Sequence, residues 1–154
     1  MKKTVRHFTE SILYDIEQTA KVTRLAAAQL FVALRIDLSS DEYKVLDVIS
    51  VSDGICQRDL AKLILRDRAN TGRILNSLEE KELIERFVDT KNNRLVKKMI
   101  LTDKGHKKLH EINEQLENYT QTMLDEFSVN EIDNLQISLR QFRKNVETAL
   151  KLNI

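Results

Sequence analysis

Residues 66–78 read RDRANTGRILNSL. Advancing each residue by ~100° around a helix axis gathers Thr71, Ile74, Leu75 and Leu78 on one face. Arg66, Ala69, Asn70, Arg73 and Asn76 fall on the opposite side, with no acid among them. Asp67 is a natural N-cap, because its carboxylate can accept an unpaired first-turn N–H, so the helix should run from about Asp67 to Lys81. Gly72 stands in its middle, at a cost of ~1 kcal/mol relative to alanine. Either the bare position lets the backbone approach the surface that the outer face meets, or the glycine is simply tolerated.

Just upstream, QRDLAKLI (57–64) makes a short amphipathic helix with Leu60, Ala61 and Ile64 inward. Two helices joined by so brief a turn form a helix-turn-helix. Downstream the period changes. LIERFVD (83–89) and LVKKMIL (95–101) alternate as strands, and the polar stretch TKNNR lies between them. A hairpin with a basic tip directly after a helix-turn-helix is a wing.

Long helices flank this module. Phe8, Ile12, Ile16, Leu25, Ala28, Val32 and Ile36 recur at helical spacing over roughly 6–36. Ser39 and Glu42 then have the spacing of a capping box, opening a helix that stops by Gly54. Thr102 caps another helix, through about Phe127, with Ile112, Leu116, Tyr119 and Met123 on one face. Ser128 and Glu131 repeat the capping-box spacing. The last helix carries Ile132, Leu135, Leu139, Phe142, Val146 and Ala149 in steps of three or four, like a coiled-coil seam. These apolar faces exceed what a small middle module can cover, so a homodimer is expected. Its interface is assigned to Phe8, Ile12, Ile16, Leu135, Leu139, Phe142 and Val146. The chain thus reads as one structural domain in three parts: an N-terminal dimerisation helix (1–36), a winged helix-turn-helix lobe (37–101) and C-terminal dimerisation helices (102–154). The fold class is mainly α with a small β-hairpin wing.

Composition agrees with this reading. The 154 residues are 42% apolar and 32% charged, with no proline and three glycines, a balance that favours a globular, helix-rich chain. No apolar run approaches the ~18 residues that span a membrane, and MKKTVRHFTESILYDIEQ lacks the apolar core of a secretory signal. The single cysteine, Cys56, excludes an internal disulfide framework, so a cytoplasmic location is expected. Net charge is +1, but residues 57–110 hold 14 bases against 8 acids. A basic middle between acidic ends points to a polyanionic partner.

Double-stranded DNA suits the outer face of 66–76. Arginine can bond two guanine acceptors in the major groove, and an asparagine amide does the same for adenine. Basic side chains also displace phosphate counterions.

From Gln57 to Gly105 the chain resembles the MarR family of winged-helix transcription regulators. The run LAKLILRDRANTGRILNSLEEKELIER (60–86) follows the family's pattern without a gap. DTKNNR…LTDKG (89–105) resembles its wing signature, an Asp-x-Arg tip before Leu-Thr-x-x-Gly. The resemblance implies a homodimer whose two winged lobes straddle a pseudo-palindromic operator, most often as a repressor. It also implies relief by a small, often aromatic anionic effector; the residues themselves give no reason to expect a cofactor or a metal. Carried over by position, Arg66, Arg68, Asn70, Thr71 and Arg73 lie in or beside the major groove, with Asn76 on the same outer face. Arg94 reaches a minor groove from the wing, helped by Asn92, Asn93, Lys97 and Lys98. Gln57 and Arg58 touch phosphate. Three departures stand out. Leu65 and Glu82 occupy positions where the family often has glycine. Asn92 replaces the aspartate that orients the wing arginine. Six residues separate Arg94 from Leu101 instead of five, which implies a bulge or a one-position shift of the tip.

Rival readings are weaker. His106 and His110 are four apart on one helix, with Glu111 and Glu114 nearby, but no His-Glu-x-x-His pattern accompanies them. Neither a glycine-rich phosphate loop nor a Ser-His-Asp pattern is present, so an enzyme is not expected. Cys56 reads first as a small buried hydrophobe, with a redox-responsive regulator, or through the histidines a metal-responsive one, as the alternative. A winged-helix module that binds protein is the other alternative.

Overall fold

Ser11 closes a short 3-10 turn, Phe8–Glu10, and caps helix α1, Ile12–Ala33, by accepting the Tyr14 N–H at 3.2 Å. The computed structural model describes residues 7–52, 54–64 and 67–150. The first helix therefore starts later than the periodicity predicts. The Ser11 hydroxyl also donates to the Phe8 carbonyl at 2.6 Å, and the Phe8 and Tyr14 rings meet edge to face at 5.8 Å, which holds the turn. At the other end Arg35 takes a left-handed φ of 53°. The Ile36 N–H reaches back to the Phe31 carbonyl at 2.9 Å, so α1 ends in a Schellman-type cap.

Helix α2, Ser40–Ser50, opens with the predicted capping box. The Ser39 N–H donates to Glu42 Oε2 at 2.7 Å and the Glu42 N–H donates to Ser39 Oγ at 3.1 Å. Gly54, at φ 72°, precedes strand β1, Ile55–Cys56. Helix α3, Gln57–Leu63, and helix α4, Arg68–Glu80, follow. Strands β2, Ile84–Lys91, and β3, Arg94–Leu101, then form the wing. Helices α5, Asp103–Leu124, and α6, Val129–Leu150, complete the order. Both keep their predicted caps. Thr102 Oγ1 accepts the Gly105 N–H at 3.0 Å, and Glu131 Oε2 accepts the Ser128 N–H at 2.9 Å.

The sheet differs from the expected hairpin in three ways. It has three antiparallel strands in the order β1-β3-β2, because Ile55 and Cys56 pair with Met99 and Lys98. The polar turn is shorter than TKNNR: Lys91 pairs with Arg94, leaving Asn92 and Asn93 alone at the tip with φ values of 51° and 59°. Two left-handed residues in succession make a type I′ hairpin turn, which matches strand twist, and asparagine tolerates that conformation better than most L-residues. Finally, pairing continues without a break from Lys91–Arg94 to Ile84–Leu101. The spacing from Arg94 to Leu101 therefore reflects one more residue pair in a regular ladder and no bulge.

Two compact units are distinguished, Met1–Lys44 and Val45–Ile154. In the first, Phe31 and Leu38 are buried, and Phe31 meets Tyr43 edge to face at 5.6 Å. In the second, Leu46, Leu60, Leu75, Leu78, Ile84, Met99 and Ile112 are each no more than 2% exposed and form the core beneath α4 and the sheet. No residue of α6 is buried. No helix among the described residues is long and apolar enough to cross a membrane. The fold is mainly helical with a small three-stranded antiparallel wing sheet.

Candidate nucleic-acid interface

Helix α4 is started by Asp67, whose Oδ1 accepts the Asn70 N–H at 2.8 Å. Its inner face is the predicted one: Thr71, Leu75 and Leu78 are fully buried and Ile74 is half-buried. Thr71, placed beside the major groove by resemblance, has no surface to offer, and its hydroxyl donates to the Asp67 carbonyl at 2.9 Å. It is a core residue, as its position at the centre of the apolar face requires. Arg68, Ala69, Arg73 and Asn76 are exposed, and Asn70 is half-buried. Arg66, and with it the turn at Leu65, lies outside the described residues.

The start of α4 is tied to α3. Gln57 Nε2 donates to the Arg68 carbonyl at 3.2 Å. Gly72 is part of this tie: a Cβ there would lie 3.3 Å from Gln57 Nε2. The neighbour that would meet a side chain at Gly72 is thus the flexible end of a glutamine from the adjacent helix.

The C-terminal end of α4 carries a Schellman turn, with the Leu83 N–H on the Leu78 carbonyl and the Glu82 N–H on the Glu79 carbonyl, both at 2.9 Å. Glu82 takes the left-handed position at φ 60°. That is where the family often has glycine. Its carboxylate is 2.8 Å from Lys104 Nζ, and this hydrogen bond holds the Glu82 carboxyl below its ordinary value. From the first wing strand, Arg86 Nη2 donates to Asn76 Oδ1 and sits 3.0 Å from Glu79 Oε2. Sequence reasoning counted Arg86 only as charge. Its position two residues from buried Ile84, on the same face of β2, was the signal that it needed partners.

A cleft of about 720 Å³ opens between the start of the helix pair and the wing. Gln57, Arg58, Arg68, Asn92, Arg94 and Lys97 line it, with Cys56, Leu95 and Val96 as its apolar part. Among the described residues four cations and no carboxylate face this space, which favours a polyanion. Six of the predicted site residues thus meet in one concavity. Arg73, Asn70 and Asn93 lie outside that lining, and Asn76 is already held by Arg86. Lys98 also lies outside it, with its Nζ 2.5 Å from Asp89 Oδ2 on the adjacent strand. This contact, together with the Thr90 N–H, keeps the Asp89 carboxyl below its ordinary range. Cys56 is buried. Among the described residues no group of three or more histidine, cysteine or carboxylate side chains is placed to hold a metal ion.

The MarR family model matches residues 38–96, which span the helix pair and most of the wing. An uncharacterised HTH-type transcriptional regulator of Bacillus subtilis (strain 168), YybA, is 31% identical over 112 residues, covering 73% of this chain and 74% of its own. The crystal structure of the transcriptional regulator SlyA superimposes with a TM-score of 0.74 at 29% identity, covering 92% of this chain and 97% of that one. The S. aureus MepR–DNA complex shares the fold, with a TM-score of 0.75 at 22% identity over 91% of this chain and 99% of that one. Similarity across nearly three quarters of both partners, on the helices and wing just described, establishes that this chain belongs to the MarR family of transcription regulators, which are not enzymes.

Proposed function

We propose that this MarR-family regulator acts as a homodimeric repressor that reads a pseudo-palindromic operator and is released from it by a small effector. The basic cleft carries the reading: Arg58 and Arg68 from the helix pair face Arg94 and Lys97 from the wing across one concavity. In this reading α4 enters the major groove and presents Asn70 and Arg73 to base edges, where amide and guanidinium groups discriminate adenine and guanine. Arg66 belongs to the same surface by sequence. The wing, with Arg94 and the Asn92–Asn93 tip, follows the adjacent backbone into the minor groove. Arg58, Arg68 and Lys97 neutralise phosphate.

The dimer reading is supported by apolar surface left open. Phe8 and Ile12 are exposed on the first unit, Leu135 and Leu139 on α6, and Tyr119 and Met123 on α5. Ile16, Phe142 and Val146 are half-exposed. Residues 1–36 and 102–154 supply this interface, and residues 37–101 supply the DNA-reading lobe. Two such lobes meet half-sites about one helical turn apart, ~10–10.5 bp. The working compartment is the cytoplasm, where the DNA is.

Selection of bound fragments from a random duplex library tests this. An enriched motif with two-fold symmetry is the expected result. Failure to enrich any duplex at low ionic strength, by a protein that sediments as a monomer, overturns the proposal.

A further inference from the structure

The candidate interface consists of two separate pieces, the outer face of α4 and the wing hairpin. A duplex can engage both only if the angle between them is held. The turn at Glu82–Leu83 joins them covalently, and the pairing of β3 with β1 and the burial of Ile84 and Met99 seat the base of the hairpin.

Arg86 adds a side-chain fastening directly between β2 and α4. It lies in β2, opposite Met99, on the inward face of the sheet. Its side chain is only 19% exposed, whereas that of its partner Glu79 is 47% exposed. One nitrogen, Nη2, serves two acceptors on α4: Asn76 Oδ1 by hydrogen bond and Glu79 Oε2 at 3.0 Å. Asn76 and Glu79 are three residues apart, so they stand on adjacent turns of the same helix face. The guanidinium Nε is buried, with no hydrogen-bond partner among the described residues. The cation is therefore directed into the protein. Its reach and charge fasten the base of the wing to the C-terminal half of α4, at the end opposite to the Gln57–Arg68 tie.

We propose that Arg86 is a positioning residue for operator recognition. It sets the wing against α4 through Asn76 and Glu79, and Asn76 contributes to recognition by holding Arg86 and not by reading a base. The proposal rests on the DNA-reading function above. It separates a cation that shapes the interface from the cations of the cleft, which meet phosphate.

The test uses the full chain and the variants Asn76→Ala, Arg86→Lys and their double. Lysine keeps the charge but loses the planar, extended donor geometry. Asn76 is exposed, so N76A leaves the core intact and provides a folded variant should changes at Arg86 impair folding. In the free protein, amide exchange of β2 and β3 is expected to quicken in both single variants relative to the amides of α2. With DNA, the ratio of operator to random-duplex affinity is expected to fall about tenfold in each, within the range that coupled neighbours show. The double variant should lose no more than the worse single one. The slope of log affinity against log salt should stay at the wild-type value, because no phosphate contact is removed. A slope smaller by about one in R86K would make Arg86 a phosphate ligand and overturn the proposal. Additive losses in the double variant, or unchanged wing exchange in N76A, overturn it as well. If the wild-type chain selects no duplex, the DNA-reading function fails, while the exchange measurement still decides the fastening.

Discussion

Gly105 lies so close to the Leu83 carbonyl that a Cβ built on it would sit 2.0 Å from that oxygen. The first turn of α5 is thereby pressed onto the turn that links α4 to the wing. The same junction is held by the Thr102 N–H on the Leu83 carbonyl at 3.1 Å and by Thr102 Oγ1 on the Glu82 carbonyl at 2.7 Å. The obstructing atom is backbone, so no rotamer change can relieve the clash. Gly105→Ala is expected to destabilise the fold by on the order of 3 kcal/mol, the upper part of the range for overpacking. Urea unfolding measures it. A midpoint unchanged from wild type would mean that α5 can back away freely from the wing junction.

Gly72 predicts the opposite sign. The Cβ of an alanine there would meet only Gln57 Nε2, at 3.3 Å, and that atom ends a flexible side chain. Displacing it sacrifices one partly exposed hydrogen bond, worth about 0.5 kcal/mol. Alanine gains ~1 kcal/mol of helix propensity. Gly72→Ala should therefore raise the thermal midpoint modestly. A lower midpoint would show that the Gln57–Arg68 tie outweighs helix propensity.

The contrast between these two glycines shows what could be read in the sequence. The starts of α2, α4, α5 and α6 were legible because a local signal marks each: Ser39 with Glu42, Asp67, Thr102, and Ser128 with Glu131. The inner face of α4 followed from helical periodicity alone. What escaped depends on contacts distant along the chain. Strand β1 is two residues long, too short for any period, and exists because β3 offers it a free edge. The neighbour of Gly72 and the partners of Arg86 come from other elements, so no window of sequence contains both members. Asn92–Asn93 lacks the glycine that usually announces a two-residue hairpin turn, and its tightness shows only in the backbone. Site residues divided in the same way. Six expected site residues, Gln57, Arg58, Arg68, Asn92, Arg94 and Lys97, do line one cleft, whereas the engagement of Lys98 with Asp89, and of Asn76 with Arg86, needed the fold.

Among the described residues three carboxyls are held below their ordinary values, and this sets an acid dependence. Glu82 is lowered by Lys104, Asp89 by Lys98 and Glu131 by Ser128. A carboxyl with a depressed folded-state pKa stabilises the fold fully above its unfolded value, here close to the ordinary 4.5 for the glutamates and 3.8 for the aspartate. The contribution is lost as pH falls through the lower folded value. All three groups are exposed, so the loss should be shallow. The two lysine-paired groups should respond to salt, which screens exposed charges. Glu131 should not, because hydroxyl and amide hydrogen bonds hold it. Thermal melts from about pH 6 to 3, at low and high salt, compare wild type with E82Q, D89N and E131Q. The expectation fails if salt abolishes the Glu131 contribution as readily as the other two.

The dimer reading makes Leu139 a sensitive position. It is 43% exposed in the single chain and lies in the apolar row of α6 with Leu135, Phe142 and Val146. Glutamate at 139 would place a charge in the proposed seam without touching the core of either unit. Leu139→Glu should sediment as a folded monomer and bind a two-half-site operator on the order of 100-fold more weakly, the avidity of two linked sites being lost. A dimer of undiminished affinity would place the subunit contact elsewhere.

Lys97 and Lys98 are adjacent in β3 and so point to opposite faces of the sheet. Lys97 lines the cleft with Arg94, while Lys98 is spent on Asp89 at 2.5 Å. Net charge treats the two lysines as equal, but counterion release does not, since it counts only cations that reach phosphate. Lys97→Ala should reduce the slope of log affinity against log salt by about one. Lys98→Ala should leave the slope near wild type and lower affinity slightly at all salt concentrations, because Asp89 is then uncompensated on the wing. Fluorescence anisotropy on one operator duplex across a salt series distinguishes them. Equal slope changes in the two variants would mean that the Asp89–Lys98 pair opens on DNA and that both faces of the hairpin meet the backbone.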